Sequence, residues 1–244
     1  MKSVFCDLEN WQVDFVEKRM TDLKPVCLTC SVDEINQEIA NEVEILSIFV
    51  YSNINRQTLE KFPKLKMIQT MSTGFDHIDV EACKEKGIVV SNVPAYGDNT
   101  VAEHAFGLLL NLSRNIHKAY IRSMQEDTFS YDGLIGFDLK AKTIGVLGTG
   151  RIGKNMIKIA NGFSMNVIAY DPYPQLENEA SLGFKYVTLD ELYKNSDVIS
   201  LHLPLNKETT HLINKQAIEK MKTDVIIINT ARGRIISTDA LVEG

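Results

Sequence analysis

The fold of this chain is set by an apolar run leading into spaced glycines, Thr143-Ile144-Gly145-Val146-Leu147-Gly148-Thr149-Gly150-Arg151-Ile152-Gly153. The apolar residues predict a buried strand, and G-x-G-x-x-G follows it at the start of a helical stretch. In such a turn Gly148 permits the tight bend, Gly150 lets the backbone approach a pyrophosphate, and Gly153 allows helix and strand to pack closely. The amino end of the helix then favours the anion. The stretch predicts a parallel α/β sheet with a dinucleotide site at its first turn.

A second predicted strand ends at Asp171, at the distance after the glycines where a carboxylate meets the adenosine ribose hydroxyls. The alternative is an ordinary turn residue before Pro172, which explains the position of Asp171 but not the whole arrangement. A strand, glycines, a helix, a second strand and an acid in this order favour the dinucleotide site. No Arg or Lys occurs from 172 to 181 to pair with a 2′-phosphate, so the predicted cofactor is NAD rather than NADP.

Two further predicted strands in this half of the chain end near polar residues. The strand from 198 ends in His202, and the strand from 225 to 229 is followed by Arg232. Ligands of parallel sheets lie at the carboxyl ends of the strands, so both residues are expected at the same crevice. Arg232 can offer a bidentate cation to a carboxylate. For His202 a structural, partly buried role and a cofactor-facing role are both open.

The first 90 residues also alternate short apolar runs with polar helical stretches, which predicts another parallel sheet wrapped by helices. Pro and Gly in the segment 92–98 indicate a linker. The chain is therefore expected to be α/β, with two Rossmann-like or flavodoxin-like parallel-sheet domains. The predicted domains are residues 1–98 and 99–244.

A long interdomain helix is predicted from about Asn99 to Gln125. Thr100 and Glu103 have the spacing of a capping box at its amino end. Apolar residues then recur at intervals of three and four, which predicts one buried face.

Composition limits the class of protein. The 244 residues are 44% hydrophobic, enough to bury one large core or two modest ones. The formal net charge is −6 and no basic run occurs, which argues against nucleic acid as a partner. The amino terminus turns acidic before any apolar stretch long enough for a signal peptide, and no later stretch could span a bilayer. We therefore expect a cytoplasmic protein without a membrane partner.

Cys27 and Cys30 form a C-x-x-C pattern, which zinc or redox sites also use. The surrounding residues 26–32 predict a strand, in which a spacing of three sends the two thiols to opposite faces. No second pair of ligands accompanies them, so ordinary buried thiols and no metal site are expected.

Several segments, in matching order over nearly the whole chain, resemble the D-isomer-specific 2-hydroxyacid dehydrogenases. They are Ser72 to Asp79, Gly87 to Tyr96, Val101 to His104, the glycine loop, His202 to Leu205, and Asn229 to Gly233.

The resemblance implies roles for individual residues. The first domain would bind substrate, with the backbone amides around Thr73 and Gly74 receiving its carboxylate and Tyr96 lining the pocket, as in the lactate-type branch. Arg232 corresponds to the catalytic arginine, which grips the substrate carboxylate and polarises the carbonyl. The residues implied to line the cofactor cleft are Thr100, Val101, Gly148, Gly150, Arg151, Ile152, Gly153, Asp171, Leu203, Pro204, Thr209, Thr230, Ala231 and Arg232.

The family also uses a histidine as general acid and base and a glutamate that raises the pKa of that histidine. Both follow the arginine, whereas all five histidines of this chain precede Arg232. The resemblance therefore implies a C-terminally truncated chain that lacks the segment returning to complete the first domain. We expect the 244 residues alone to be inactive.

Two functions stay open. The first is an NAD-dependent enzyme that interconverts a 2-keto acid and a D-2-hydroxy acid, with Tyr96 favouring pyruvate and D-lactate. Glyoxylate, hydroxypyruvate and branched keto acids remain possible substrates because selectivity depends on pocket shape. The second is a non-catalytic NAD(H)-sensing protein like the corepressors of the family. A homodimer is expected for the full-length protein.

Overall fold

The computed structural model of the protein describes residues 2–125 and 130–243. The chain forms two compact units, Met1–Tyr96 and Gly97–Gly244. Each unit contains a five-stranded sheet whose strand pairs are all parallel. The predicted α/β class with two parallel-sheet domains is confirmed.

The sheet of the first unit has the order β2-β1-β3-β4-β5. Its strands are β1 (Ser3–Phe5), β2 (Val26–Cys27), β3 (Ile45–Ile48), β4 (Met67–Thr70) and β5 (Val89–Ser91). Its helices are α1 (Asn10–Arg19), α2 (Gln37–Ala40), α3 (Arg56–Glu60) and α4 (Val80–Glu85), with a 3₁₀ turn at Val32–Glu34. Leu46, Ile48 and Ile68 are fully buried at its centre. The order is that of flavodoxin-like folds, in which strand order reverses between the first and third strands.

The strand predicted over residues 26–32 is wrong beyond Cys27. The chain bends at 29–30, and Ser31 then opens the 3₁₀ turn as a capping box with Glu34. Cys30 therefore lies in a bend and not on the strand, so the prediction that the two thiols lie on opposite faces of one strand is wrong. Both thiols are half-buried and free. Within residues 2–125 and 130–243 no group of His, Cys, Asp and Glu could hold a metal ion.

The sheet of the second unit has the order β10-β9-β6-β7-β8. Its strands are β6 (Thr143–Leu147), β7 (Asn166–Tyr170), β8 (Lys185–Tyr186), β9 (Val198–Leu201) and β10 (Ile226–Asn229). Its helices are α5 (Asp98–Ser113), α6 (Ile116–Gln125), α7 (Arg151–Gly162), α8 (Glu177–Leu182), α9 (Leu189–Asn195), α10 (Lys215–Ile218) and α11 (Thr238–Glu243), with a 3₁₀ turn at Gly233–Ile235. The chain runs outward from β6 to β8 and then returns to β9 on the other side. The switch point of this doubly wound sheet therefore lies between β6 and β9, where ligands of such folds bind.

The single long helix predicted from Asn99 to Gln125 is wrong, because the structure contains α5 and α6 in its place. Asn115 between them has a φ of 52°, in the left-handed region that ends a helix. The two helices also differ in burial. Helix α5 buries Ala102, Ala105, Phe106 and Leu109, whereas none of the residues of α6 is buried.

The predicted capping box of Thr100 and Glu103 does not form either. Helix α5 begins at Asp98 with Gly97 as its N-cap residue, so Thr100 lies inside the first turn. The carboxylate of Glu103 instead accepts a hydrogen bond from the side-chain amide of Asn99.

In the described part of the chain, no helix has both the length and the apolar character needed to cross a membrane.

Candidate functional site

The glycine loop joins β6 to α7 at the switch point of the second sheet. Gly148 has a φ of 93°, and a Cβ there would lie 2.5 Å from the carbonyl oxygen of His202. A Cβ on Gly153 would overlap the carbonyl oxygen of Gly148. Gly150 is the N-cap residue of α7, and a Cβ there would meet nothing within 4 Å. Two glycines are thus required by packing, and the third leaves open space at the amino end of a helix, a cradle that fits a pyrophosphate.

Asp171 follows β7 and is hydrogen-bonded to the glycine loop. Its Oδ2 accepts from the backbone N–H of Thr149 at 2.8 Å and from the Thr149 hydroxyl at 3.0 Å. Its Oδ1 accepts from the N–H of Tyr173 at 2.9 Å. The carboxylate is therefore held beside the cradle in a fixed orientation, which fits the binding of a ribose next to a pyrophosphate.

Lys154 is a cation near this region that the sequence analysis overlooked. Its Nζ donates to Oε1 of Gln175 at 2.7 Å, and the N–H of Gln175 donates to the Tyr186 hydroxyl at 3.3 Å. Lys154 precedes Asp171 in the sequence and is the fourth residue of α7, so it does not fall among residues 172–181. A cation therefore lies near the loop after β7, although no Lys or Arg occurs from 172 to 181.

His202 lies at the carboxyl end of β9, where it is half-buried. Its Nε2 is 2.9 Å from the hydroxyl of Ser200, which is fully buried. Burial lowers the pKa of His202 to about 4, so the ring is neutral near pH 7. Of the two roles left open by the sequence, these contacts favour the structural one.

The loop after β9 carries three of the residues implied to line the cofactor cleft. Leu203 is buried, and its Cδ2 would lie 3.0 Å from a Cβ added at Gly148. The hydroxyl of Thr209 donates to the carbonyl of Pro204 at 2.6 Å, which closes this loop on itself.

Arg232 follows β10 and lies in a short segment organised by Asn229. Its Nη1 donates to the carbonyl oxygen of Ala231 at 2.9 Å. Oγ1 of Thr230 is buried and has no hydrogen-bond partner in the part of the chain that the structure describes. In sheet order, the strand ends carry Arg232, His202, the glycine loop and Asp171 along one edge.

Thr73 and Gly74 lie at the carboxyl end of β4 in the first unit. The Thr73 hydroxyl donates to the carbonyl of Val93 at 2.9 Å, and the Asn92 amide donates to the carbonyl of Thr73 at 2.8 Å. The Ser72 hydroxyl donates to the carbonyl of Gly74 at 2.7 Å. Within the described residues no backbone carbonyl accepts from the amides of Thr73 or Gly74.

Four further predicted residues are Tyr96, Thr100, Arg151 and Ile152. Tyr96 is the last residue of the first unit and its side chain is exposed. Thr100 is exposed in the first turn of α5, in the second unit. Arg151 and Ile152 are the first two residues of α7, and Arg151 Nε lies 4.0 Å from the carboxylate of Asp98.

The doubly wound sheet, the glycine cradle and the fixed carboxylate define the second unit as a dinucleotide-binding domain of the Rossmann class. Residues 106–244 match the model of the D-isomer specific 2-hydroxyacid dehydrogenase family, NAD binding domain. The chain belongs to this family. The predicted family is thereby confirmed, and so is NAD as the predicted cofactor.

Individual relatives agree with this assignment. The chain is 45% identical over 216 residues to a 2-hydroxyacid dehydrogenase homolog of Haemophilus influenzae, covering 87% of this chain and 64% of that protein. It is 45% identical over 212 residues to the D-lactate dehydrogenase of Escherichia coli, covering 86% and 64%. The D-lactate dehydrogenase of Aquifex aeolicus, solved with NAD and lactic acid, superposes with a TM-score of 0.94 at 39% identity, covering 99% of this chain and 72% of that one. The chain thus spans about 64% of the length of the curated relatives it matches.

Proposed function

We propose that this chain supplies the cofactor-binding and carboxylate-binding parts of an NAD-dependent dehydrogenase that interconverts 2-keto acids and D-2-hydroxy acids. The observation that carries the proposal is the arrangement of strand ends in the second sheet. Arg232, a planar bidentate cation, follows β10, two strands from the glycine loop and on the same edge of the sheet.

In this proposal each step of binding and chemistry is assigned to a named residue with defined neighbours in the structure. The amino end of α7 holds the pyrophosphate, and Asp171 holds the adenosine ribose. The guanidinium of Arg232 binds the substrate carboxylate and polarises the carbonyl. In the first unit, the family resemblance assigns carboxylate binding to the backbone amides of Thr73 and Gly74. Bound NADH supplies the hydride, so the protein contributes mainly position and charge.

Pyruvate and D-lactate are the proposed substrate pair. Two observations support this choice: Tyr96 at the end of the first unit, and the similarity to D-lactate dehydrogenases. The test is NADH oxidation by a version of the protein extended to the length of its relatives, with pyruvate, glyoxylate, hydroxypyruvate and a branched keto acid. The configuration of the product is determined by chiral chromatography. Turnover to an L-hydroxy acid, or NADH binding with no turnover of any keto acid, would contradict the proposal, and the second result would favour an NAD(H)-sensing protein.

We propose further that the 244 residues by themselves bind NADH without turning over substrate. His202 is a poor general acid because its pKa of about 4 leaves it neutral near pH 7 and its ring is bonded to Ser200. His104, the other histidine considered as a general acid, is exposed to solvent on α5. NADH fluorescence measures binding, and absorbance at the nicotinamide band with pyruvate present measures turnover.

We further propose that the protein is a cytoplasmic homodimer. Support for a homodimer comes from α5 and α6 of the second unit, which expose large apolar side chains. They are Leu108, Leu112, Ile116, Tyr120, Ile121 and Met124. Met124→Glu is expected to shift the sedimentation equilibrium toward monomer, whereas Leu23→Glu, at an exposed leucine of the first unit, should leave it unchanged.

A further inference from the structure

We propose that Thr149 and Tyr186 are positioning residues that orient the Asp171 carboxylate for a single hydroxyl of the adenosine ribose. The inference rests on the proposed function, because it takes NADH as the ligand of the glycine loop. It adds to that function Thr149, in the loop after β6, and Tyr186, on β8, and it assigns the number of ribose contacts that Asp171 can make.

The hydroxyl groups form a chain with a fixed direction. An ionised carboxylate only accepts, so the Thr149 hydroxyl, 3.0 Å from Oδ2 of Asp171, donates its one proton there. The same oxygen then accepts from the Tyr186 hydroxyl, which lies 2.8 Å away. The Tyr186 oxygen in turn accepts from the N–H of Gln175 at 3.3 Å. Each of these hydrogen bonds therefore has its donor on the side away from Asp171 and its acceptor on the side toward Asp171.

The Tyr186 ring is held in place by the sheet. Tyr186 lies on β8 and pairs with Ala169 of β7, the strand that ends in front of Asp171. Its ring contacts Phe184 edge to face, with the centroids 4.9 Å apart. The phenol therefore reaches from the edge strand to the loop after β6 without depending on a mobile side chain.

The acceptor count of Asp171 limits what a ligand can contact. A carboxylate offers about four acceptor sites. Oδ2 already accepts two protons from Thr149, and Oδ1 accepts one from the N–H of Tyr173. One site on Oδ1 remains, which suits one ribose hydroxyl, and we assign it to the 2′-hydroxyl.

The test compares two ligands on two proteins. NADH and its analogue with a 2′-deoxy adenosine ribose are titrated by fluorescence into the chain and into its Thr149→Val variant. The wild type should bind the deoxy analogue about tenfold more weakly, equivalent to about 1.4 kcal/mol for one hydrogen bond to a charged group. In Thr149→Val the loss of the hydroxyl should weaken NADH about fivefold, and the two ligands should then differ by no more than about twofold.

Two further variants separate positioning from general loosening of the loop. Thr149→Ser restores the hydroxyl and should recover the tenfold discrimination between the ligands. Tyr186→Phe keeps the ring and its contact with Phe184 and should reduce the discrimination by about threefold. Tyr186→Phe also tests the chain of hydroxyls if Thr149→Val fails to fold.

The outcomes are distinguishable. A wild-type chain that does not bind NADH would overturn the proposed function together with this inference. A wild type that discriminates the two ligands, with variants that discriminate equally well, would overturn the positioning role alone. Equal binding of both ligands by the wild type would overturn the assignment of Asp171 to the 2′-hydroxyl.

Discussion

The side chain of Asn229 holds the backbone on both sides of the peptide bond that leads to Arg232. Its Oδ1 accepts from the N–H of Ala231 at 3.0 Å, and its Nδ2 donates to the carbonyl oxygen of Arg232 at 2.9 Å. Arg232 thereby keeps an extended backbone, with φ −143° and ψ 135°, before the 3₁₀ turn begins. The last residue of β10 thus determines the path of the segment that carries the proposed catalytic arginine.

Asn229→Ala is expected to lower the free energy of unfolding by about 1–3 kcal/mol, because it leaves two partly buried backbone groups without partners. Asn229→Asp keeps the acceptor for Ala231 but places a carboxylate oxygen against the carbonyl oxygen of Arg232, so it should also lower the free energy of unfolding. Urea denaturation measures both. The control is Asn195→Ala, which removes one exposed hydrogen bond to Glu191 and should cost no more than about 0.5 kcal/mol. Equal losses at Asn229 and Asn195 would contradict the proposed clamp.

Arg232→Lys is expected to reduce kcat/KM by about a hundredfold or more in a catalytically active, extended protein, equivalent to about 2.7 kcal/mol. An ammonium group cannot reproduce the planar fork that holds a carboxylate in one orientation. NADH affinity should change little. Arg234→Lys is the matched control, since Arg234 is exposed two residues further along. Near-normal kinetics of Arg232→Lys would show that the catalytic arginine is wrongly assigned.

Two glycines of the loop should separate effects on stability from effects on NADH binding. Gly153→Ala is expected to lower the free energy of unfolding by about 1–3 kcal/mol, because its Cβ would overlap the carbonyl of Gly148. Gly150→Ala meets no atom within 4 Å, so it should cost no more than about 1 kcal/mol of stability while it weakens NADH binding at the cradle.

Gly162→Ala is the control within the same helix. A Cβ there also meets nothing within 4 Å, and the substitution should be neutral or stabilise by about 0.5 kcal/mol without affecting NADH. Thermal unfolding and NADH fluorescence of the three variants check these expectations. Unchanged NADH affinity of the Gly150→Ala protein would contradict the assignment of the pyrophosphate to this loop.

The sequence predicts the sheets and the glycine loop because those requirements are local. Within six residues, G-x-G-x-x-G meets one need for a positive φ and one need for close packing, at Gly148 and Gly153. The end of α5 cannot be predicted in this way, because no local signal in the sequence marks it. Ile116 keeps a spacing of four from Leu112, so the apolar repeat continues through Asn115, where the backbone leaves the helix.

The remaining site residues could not be predicted from sequence because their partners lie far along the chain. Tyr186 meets Thr149 across 37 residues, and Lys154 meets Gln175 across 21. No periodicity or motif in the sequence predicts contacts between residues so far apart along the chain. Asn229 is the exception in principle, because an asparagine that ends a strand next to a functional arginine could have suggested a local clamp.

The stability of the folded protein should depend on the protonation of His202. Burial lowers its pKa from 6.5 to about 4, so between these values the unfolded chain binds more protons than the folded one. The contribution is fully present above about pH 6.5 and is lost as the pH falls toward 4. The slope of unfolding free energy against pH should reach about 1.4 kcal/mol per pH unit in this window.

His202→Gln removes the titrating group and keeps a polar partner for Ser200. Carboxylates such as Asp197, whose pKa is also lowered, give slopes of the same sign, so the informative quantity is the difference between wild type and variant. That difference should vary between pH 4.5 and 6.5 and be constant from pH 7 to 8. Parallel curves across the whole range would show that the imidazole is not buried as described.

The choice between NADH and NADPH should depend on Asp171 and Lys154, which contribute with opposite signs. The wild type should prefer NADH by at least about a hundredfold, because a 2′-phosphate would face the Asp171 carboxylate, and each factor of ten corresponds to about 1.4 kcal/mol. Asp171→Ser should reduce this preference by improving NADPH binding and weakening NADH. Lys154 is held near the ribose loop by Gln175, so it should favour the 2′-phosphate once the carboxylate is removed. The double variant Asp171→Ser, Lys154→Gln should therefore bind NADPH more weakly than Asp171→Ser alone, by about three- to tenfold, and bind NADH equally well. Competition titrations at two salt concentrations measure both ligands, and the NADPH difference should shrink at the higher salt. If Lys154→Gln leaves NADPH affinity unchanged in the Asp171→Ser background, Lys154 has no electrostatic role at the ribose, and Asp171 alone determines the preference.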